Sequence, residues 1–181
     1  MPEKQNKPDK NIEELRDLIE DIEVAMFTTR RMDGRLVSRP MATQVPSAGA
    51  DFWFVTDTSA HKLDELEQDP HVNLAYYNTK SREYVSVSGI ARIVNDRSKI
   101  AELYRPDWKA WFPGDDDKSG TPDDPRITLI AVDADSAVYL KVDKPRPVVL
   151  FEVVKGMVTG DTPDLGETRR VEKRDLQKAR R

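Results

Sequence analysis

The feature that most constrains the fold of this sequence is a series of short segments whose apolar residues recur at every second position. The clearest segment spans residues 83–94. One side of this segment carries Val85, Val87, Gly89 and Ala91, and the other side carries Tyr84, Ser86, Ser88 and Ile90. A period of two is typical of a β-strand, because successive side chains point to opposite faces of a sheet.

Further β-rich segments occupy residues 24–29, 35–45, 52–56, 71–77, 127–133, 137–142 and 148–154. Asp33 and Gly34 between the first two form a tight-turn dipeptide, which predicts a hairpin. Pro40 lies inside the second strand of that hairpin and indicates an edge or a bulge, since proline donates no ladder hydrogen bond. Short, closely spaced antiparallel strands with few helices predict a mainly β protein with a closed or nearly closed barrel.

Three helices interrupt the strands. Residues 11–22 carry apolar side chains at spacings of three and four, and Asn11 with Glu14 resembles a capping box. The second predicted helix spans residues 59–68, with Thr58 or Ser59 as its cap and Pro70 beyond its end. A third, short helix is expected over 97–104. A long irregular loop follows over 105–126.

The domain organisation follows from the distribution of apolar and charged residues. We predict a disordered segment over residues 1–10, a single domain over 11–158 and a charged, disordered tail over 159–181. The last fifteen residues hold seven lysines and arginines against three acidic residues. A solvated tail is the favoured interpretation, and a nucleic-acid or membrane contact is the alternative.

Composition excludes several classes of function. The chain has 181 residues, no cysteine and two histidines, which excludes disulfides, thiolate chemistry and a multi-histidine metal site. The net charge of −4 argues against a general nucleic-acid binder. No signal peptide or apolar run of membrane-spanning length is recognisable. We therefore predict a cytoplasmic protein without metal, nucleic-acid or membrane partners.

The junction between a strand and a helix at residues 54–62 is the first candidate site. A helix start presents unpaired amides and a partial positive charge, which suits a phosphate group. Thr56 and Ser59 offer hydroxyl groups, Lys62 offers a full charge, and His61 offers a further hydrogen bond. The alternative is an ordinary capped helix with a surface lysine.

Two further stretches are candidates for contact with a planar ligand. Arg39 precedes the strand proline Pro40, so a bulge there would free backbone groups to meet a polar ring. The loop aromatics Trp108, Trp111 and Phe112 are suited to covering a planar ligand or sealing a dimer interface. The corresponding alternatives are an edge strand with a surface arginine, and a lid over the protein's own core.

These features together resemble the pyridoxamine 5'-phosphate oxidase-like split-barrel superfamily, and within it the general stress protein branch. The resemblance covers residues 11–142. It depends on the order and spacing of the opening helix, Gly34 with the 38–41 strand, residues 52–56, Lys62, residues 69–74 and 84–91, and the later segments 111–113 and 124–130.

This resemblance implies a six-stranded antiparallel split β-barrel with flanking helices that forms a homodimer. It also implies that FMN, with FAD as the alternative, lies in grooves between the two copies. The cofactor-binding positions that it implies are Arg39, Pro40, Met41, Val55, Thr56, Ser59, His61, Lys62, Tyr84 and Trp111. No catalytic residue and no substrate or electron donor is identified.

The sequence departs from the oxidases in two places that bear on the phosphate. The Ser-Arg-Lys anchor of the oxidases aligns with Ala60, His61 and Lys62, and a second lysine aligns with Gln44. The substrate-binding arginine and histidine near the oxidases' C-terminus have no match, which argues against pyridoxamine phosphate oxidation. A flavin-dependent oxidoreductase related to stress is the leading prediction. A non-catalytic flavin-sequestering protein and a dimeric interaction module without flavin are the alternatives.

Overall fold

The computed structural model describes residues 8–142 and 166–178, together with the single positions 148, 151, 155 and 160. The α-helices are α1 (Pro8–Ile22), α2 (Lys62–Gln68), α3 (Arg97–Leu103) and α4 (Lys173–Lys178), and a 3-10 helix spans Pro106–Ala110. None of the helices in the described ranges is both long enough and apolar enough to cross a membrane.

Seven strands form one antiparallel sheet. They are β1 (Val24–Arg30), β2 (Leu36–Ala42), β3 (Phe52–Asp57), β4 (His71–Tyr77), β5 (Tyr84–Val94), β6 (Ile127–Lys141) and β7 (Glu167–Glu172). Their order is β2-β1-β4-β5-β6-β3, and β7 also pairs with β6. The Gln44 amide, just beyond β2, donates to the Trp53 carbonyl of β3 at 2.8 Å and brings the two ends of the path together. The predicted split-barrel fold, mainly β with flanking helices, is therefore confirmed, but the sheet has seven strands rather than the predicted six, because β7 adds to β6 outside the six-stranded path.

The inner face of the sheet carries the main core. Along β5 the alternation predicted from the sequence is observed, with Val85, Val87 and Ala91 buried. Helix α1 packs on the same core through four buried side chains, Ile12, Leu15, Leu18 and Ile19. A second cluster is formed by Trp53, Ile100, Leu103, Trp108, Phe112, Ile127, Leu129 and Ala131. Two of the predicted loop aromatics are thus buried as core residues.

Strand β6 is continuous where the sequence predicts two separate strands. The apolar pattern is interrupted at Asp133–Ser136, which suggests a break. The structure instead has a register shift opposite Ser88 and Gly89. A Cβ at Gly89 would lie 2.6 Å from the Asp133 carbonyl oxygen, so only glycine allows this close approach. The amide of Ala134 donates to Asp51 at 2.7 Å. A bulge therefore carries the polar residues through a single strand.

Helix α2 begins three residues later than predicted. The backbone amide and hydroxyl of Ser59 both donate to Asp57 Oδ1, at 2.7 and 2.6 Å. This hydrogen-bonded turn occupies the residues expected to start the helix. His61 becomes the residue before the helix, and its side chain makes no capping hydrogen bond. At the other boundaries, α1 starts at Pro8 rather than at residue 11. The strand predicted over 148–154 lies mostly outside the described residues, and the two positions in it that are described, 148 and 151, are helical, so the prediction of a strand is wrong there.

The C-terminal segment differs from the prediction of a disordered tail. Strand β7 pairs with the second half of β6, and Val171 of β7 and Leu176 of α4 are buried in the main core. Arg169 forms an ion pair with Glu14 of α1. The Tyr139 hydroxyl donates to the same carboxylate at 3.0 Å. The high charge of the tail indicates disorder, although two apolar residues attach this segment to the barrel.

Replacing Val171 with alanine is expected to reduce the free energy of unfolding by about 1–3 kcal/mol, because buried methyl groups are lost and a cavity remains. Arg170→Ala, at the adjacent exposed position, is the control and should change that free energy by less than about 0.5 kcal/mol. Urea unfolding followed by circular dichroism measures both. Equally small effects for the two variants would contradict the packing of β7 on the barrel.

Candidate functional site

Five polar side chains from four elements of the barrel meet at one place. Thr29 is on β1, Arg39 on β2 and Thr56 on β3, while Lys62 and Glu65 lie on α2. We call these five residues the cationic cluster. Thr29, Thr56 and Glu65 are buried, whereas Arg39 and Lys62 are half-buried. Lys62 and Glu65 are three residues apart, which places both on one face of the helix.

Arg39, Glu65 and Thr29 form a closed hydrogen-bond network. Arg39 Nη2 donates to Glu65 Oε1 at 2.8 Å, and Arg39 Nη1 donates to Thr29 Oγ1 at 2.8 Å. Thr29 Oγ1 in turn donates to Glu65 Oε2 at 2.6 Å. Burial works to raise the pKa of Glu65, but the hydrogen bonds from Arg39 and Thr29 outweigh burial and hold that pKa below its usual value. Glu65 is therefore a buried carboxylate that stays ionised at neutral pH.

Lys62 is the second cation of the cluster and has a different environment. Its Nζ donates to Thr56 Oγ1 at 2.8 Å. In the part of the chain that the structure describes, no carboxylate oxygen lies within 4.0 Å of Lys62 Nζ. Burial, and next the positive charge of Arg39, lower the pKa of Lys62 from its usual value. A half-buried ammonium group with this surrounding favours an anion as its partner.

The predicted cofactor-binding positions next to Lys62, which are Ser59 and His61, do not belong to the cationic cluster. The Ser59 hydroxyl is engaged with Asp57, and these hydrogen bonds lower the pKa of the Asp57 carboxyl. His61 is exposed to solvent. Helix α2 has seven residues and carries Asp64 and Glu65 in its first turn. The positive charge of this region therefore comes from Lys62 and Arg39 rather than from the helix start.

The remaining predicted positions on the first strands divide between the inner and outer faces of the barrel. Met41 is buried in the main core, and Val55 packs against the second cluster. Pro40 points outward on β2, opposite Met26 of β1. Among the described residues β2 pairs only with β1 along its length, so Pro40 lies on an edge strand as predicted.

Tyr84 and Trp111 lie apart from the cationic cluster in a single copy. Tyr84 is half-buried on the outer face of β5, directly opposite Tyr77 of β4. Trp111 is 79% exposed, although its neighbours Trp108 and Phe112 are buried. The buried neighbours anchor the loop on both sides and leave the Trp111 indole in solvent.

Gln44 does not take the position of a phosphate ligand. It is buried, accepts a hydrogen bond from Trp108 Nε1 at 3.1 Å and donates from Nε2 to the Ala42 carbonyl at 3.0 Å. Its side chain therefore holds the aromatic loop against the barrel. A lone polar residue after a strand gave no sign of this partner, which lies 64 positions further along the chain.

Thr29 and Glu65 were missed by sequence reasoning, although both belong to the cluster. Glu65 stands between Leu63 and Leu66 on the buried face of α2. A carboxylate on the apolar face of a helix needs a cationic partner, and this is the signal that the sequence offered. Thr29 occupies an inward position of β1 and gives no comparable signal.

A separate concavity of about 490 Å³ lies where α1 ends beside the turn between β4 and β5. Its lining includes Asp21, Tyr77 and Lys80 and none of the cationic cluster. In one copy of the chain, the cluster and this concavity are therefore distinct features.

Comparison with known proteins bears on the family. A family model described as "Pyridoxamine 5'-phosphate oxidase like" matches residues 10–164. The protein bli-3 of Neurospora crassa is 34% identical over 173 residues, which are 93% of this chain and 83% of that protein.

Two solved structures are similar to the barrel described above. A putative general stress protein 26 from Jannaschia sp. superposes with a TM-score of 0.68 at 23% identity, over 91% of this chain and 99% of that one. The general stress FMN/FAD binding protein of Xanthomonas citri gives a TM-score of 0.57 at 26% identity, over 69% and 84%.

Replacing Thr29 with valine is expected to lower the free energy of unfolding by about 1–3 kcal/mol, because the buried Glu65 carboxylate loses a hydrogen bond that no water replaces. Thr28→Val is the matched control on the adjacent position of β1. The Thr28 hydroxyl bonds the exposed Ser38 hydroxyl, so its loss should cost less than about 0.5 kcal/mol. Chemical denaturation decides between them, and equal costs would contradict the network.

Proposed function

The chain belongs to the pyridoxamine 5'-phosphate oxidase-like family, and from this membership we propose that it binds a flavin phosphate, FMN first and FAD second, through the cationic cluster. The observation that carries the proposal is the half-buried Lys62 ammonium, whose hydrogen-bond partner is the neutral Thr56 hydroxyl. The similarity of this barrel to the general stress FMN/FAD binding protein of Xanthomonas citri supports the choice of ligand.

The residues present suit a flavin phosphate. A phosphate is a dianionic acceptor, and Lys62 with Thr56 offers a cation and a hydroxyl donor side by side. A bound phosphate would compensate the charge whose burial and proximity to Arg39 lower the pKa of Lys62. In this proposal Lys62 and Thr56 hold the phosphate, and Ser59 and His61 border it.

The ring is proposed to lie along β2 and β3. Arg39, Pro40 and Met41 on β2 and Val55 on β3 contribute mainly backbone groups there, since the Met41 side chain is buried in the core. Pro40 offers only a carbonyl, and its strand is at the edge of the sheet. When bound, a flavin supplies hydride or electron transfer, and the protein supplies binding, orientation and electrostatics.

We further propose that two copies of the chain build the complete site. The outer face of β1, β2 and β4 exposes Val24, Met26 and Tyr77, which are between 43% and 58% accessible. Pro40 and Ala42 stand opposite Met26 and Val24 on the same face. An apolar face of this kind on a sheet indicates a protein partner. A second copy seated there would bring Tyr84 and Trp111 to the flavin of its partner.

The proposal that the protein is an oxidoreductase goes one step beyond the proposal that it binds a flavin. Family membership and the flavin's own chemistry support it, whereas no side chain in the cluster has an assigned proton-transfer role. A flavin-sequestering protein would bind FMN without turnover of reduced nicotinamides, and an interaction module would bind no flavin. A cytoplasmic location remains a prediction from the absence of cysteine.

Titration of the purified apo-protein with FMN, FAD and riboflavin tests the flavin site. Replacing Lys62 with methionine should weaken FMN binding by about 10- to 100-fold, the loss typical of a charged hydrogen bond. Riboflavin has no phosphate, so its affinity should stay within about twofold. Lys118→Met, at an exposed loop lysine, is the control. Equal losses for FMN and riboflavin would remove Lys62 from the phosphate site, and no binding of FMN to the native chain would end the proposal.

Replacing Met26 with glutamate tests the shared interface. A charge at the centre of the apolar face should convert the dimer to a monomer and lower FMN affinity with it, because the second copy completes the groove. Met32→Glu is the matched control, since Met32 is 77% exposed at the tip of the β1–β2 turn. Light scattering after size-exclusion chromatography measures the mass. A native chain that is monomeric at micromolar concentration would contradict the proposed dimer.

A further inference from the structure

The cluster contains one cation more than it contains anions. Arg39 and Lys62 each carry one positive charge, and Glu65 carries one negative charge. Glu65 is ionised because Arg39 and Thr29 donate hydrogen bonds to its two oxygens. A ligand at this site therefore meets a net charge of one positive unit. The role of each residue depends on which of the two cations, Arg39 or Lys62, is paired with Glu65 and which is left to bind the ligand.

Arg39 is held by its bonds to Glu65 and Thr29. Its two terminal nitrogens are directed to acceptors on two different elements, α2 and β1, at 2.8 Å each. The guanidinium group is planar and rigid, so these two bonds fix the orientation of the whole fork. Turning the fork toward another anion would break at least one of them.

Breaking these bonds would expose the cost of burying Glu65. The Glu65 residue is 7% exposed and Thr29 is 1% exposed, so the negative charge of Glu65 is compensated by Arg39 rather than by bulk solvent. A buried carboxylate that loses its cation is strongly unfavourable, and this penalty opposes transfer of Arg39 to a ligand. Lys62 carries no such commitment, because its described partner is a neutral hydroxyl.

Resting on the flavin function proposed above, we propose that Arg39 serves the flavin phosphate by neutralising Glu65, and that it is a positioning residue rather than a phosphate ligand. Glu65 and Thr29 hold Arg39, and Lys62 is left as the cation that binds the phosphate. Removing Arg39 would weaken FMN binding mainly because the negative charge of Glu65 is left uncompensated. That charge would then act on Lys62 and on the phosphate.

A charge-balance experiment tests this inference. The variants Arg39→Met, Glu65→Gln and the double variant are titrated with FMN and with riboflavin. Arg39→Met should weaken FMN binding by about tenfold or more, because one uncompensated negative charge is left near the phosphate. Glu65→Gln should raise FMN affinity by a few-fold, because it removes the one negative charge of the cluster. The double variant restores the charge balance and should return to within about threefold of the native chain. Riboflavin affinity should change by less than about threefold throughout.

Other outcomes of this experiment would overturn the inference or the function on which it rests. A direct phosphate contact from Arg39 predicts that the double variant binds FMN as weakly as Arg39→Met, and this result would overturn the inference while leaving the flavin function intact. A tenfold loss for Glu65→Gln alone would also overturn it. If Arg39→Met does not fold, the double variant decides alone, because it replaces the ion pair by neutral groups of similar size. Failure of the native chain to bind FMN refutes the proposed function instead.

A second readout separates charge from structure. The dependence of FMN affinity on salt concentration reports the net charge of the site. A general destabilisation of the barrel would not change this dependence in the order of the net charges of the four proteins. The slope should be shallowest for Arg39→Met, intermediate for the native chain and the double variant, and steepest for Glu65→Gln. Equal slopes for all four proteins would contradict the charge count.

Discussion

The buried ion pair between Arg39 and Glu65 is the interaction on which the candidate site depends. It joins the short helix α2 to the first hairpin of the barrel, and Thr29 closes the network from the adjacent strand. A seven-residue helix has little stability of its own, so its position is set by tertiary contacts. Leu63 and Leu66 supply the apolar part of that attachment, and Glu65 supplies the polar part. Lys62 is placed beside Thr56 as a consequence.

The strands were predicted well because their signal is local. The alternation along β5 requires only adjacent residues, and it appeared in the structure with the same residues facing inward. The features that failed depend on distant parts of the chain. The bulge that keeps β6 continuous needs Gly89 on the neighbouring strand, and the turn before α2 needs the Asp57 carboxylate to capture Ser59. Strand β7 was missed because its charge outweighs its single buried valine.

The site shows the same division between local and distant information. Lys62 and Arg39 were identified from a strand-to-helix junction and a family resemblance, both of which are readable along the sequence. Glu65 lies 26 positions from Arg39, and no pattern within either segment links them. Gln44 was aligned with a phosphate lysine, and the structure instead places it against Trp108. Polar partners in a barrel of this kind are set by register and closure, and a single sequence does not report these.

The two-residue period of β2 explains how one strand serves both the cluster and the outer surface. Arg39 points inward to Glu65, while the adjacent Pro40 points outward on the apolar face. A shift of one residue would exchange these roles and bury the proline while exposing the arginine. The register with β1, in which Phe27 stands opposite Arg39 and Met26 opposite Pro40, prevents this shift because Phe27 is fully buried. The position of the charge and the position of the apolar face are therefore determined by the same pairing, and a change that disturbs the hairpin register disturbs both.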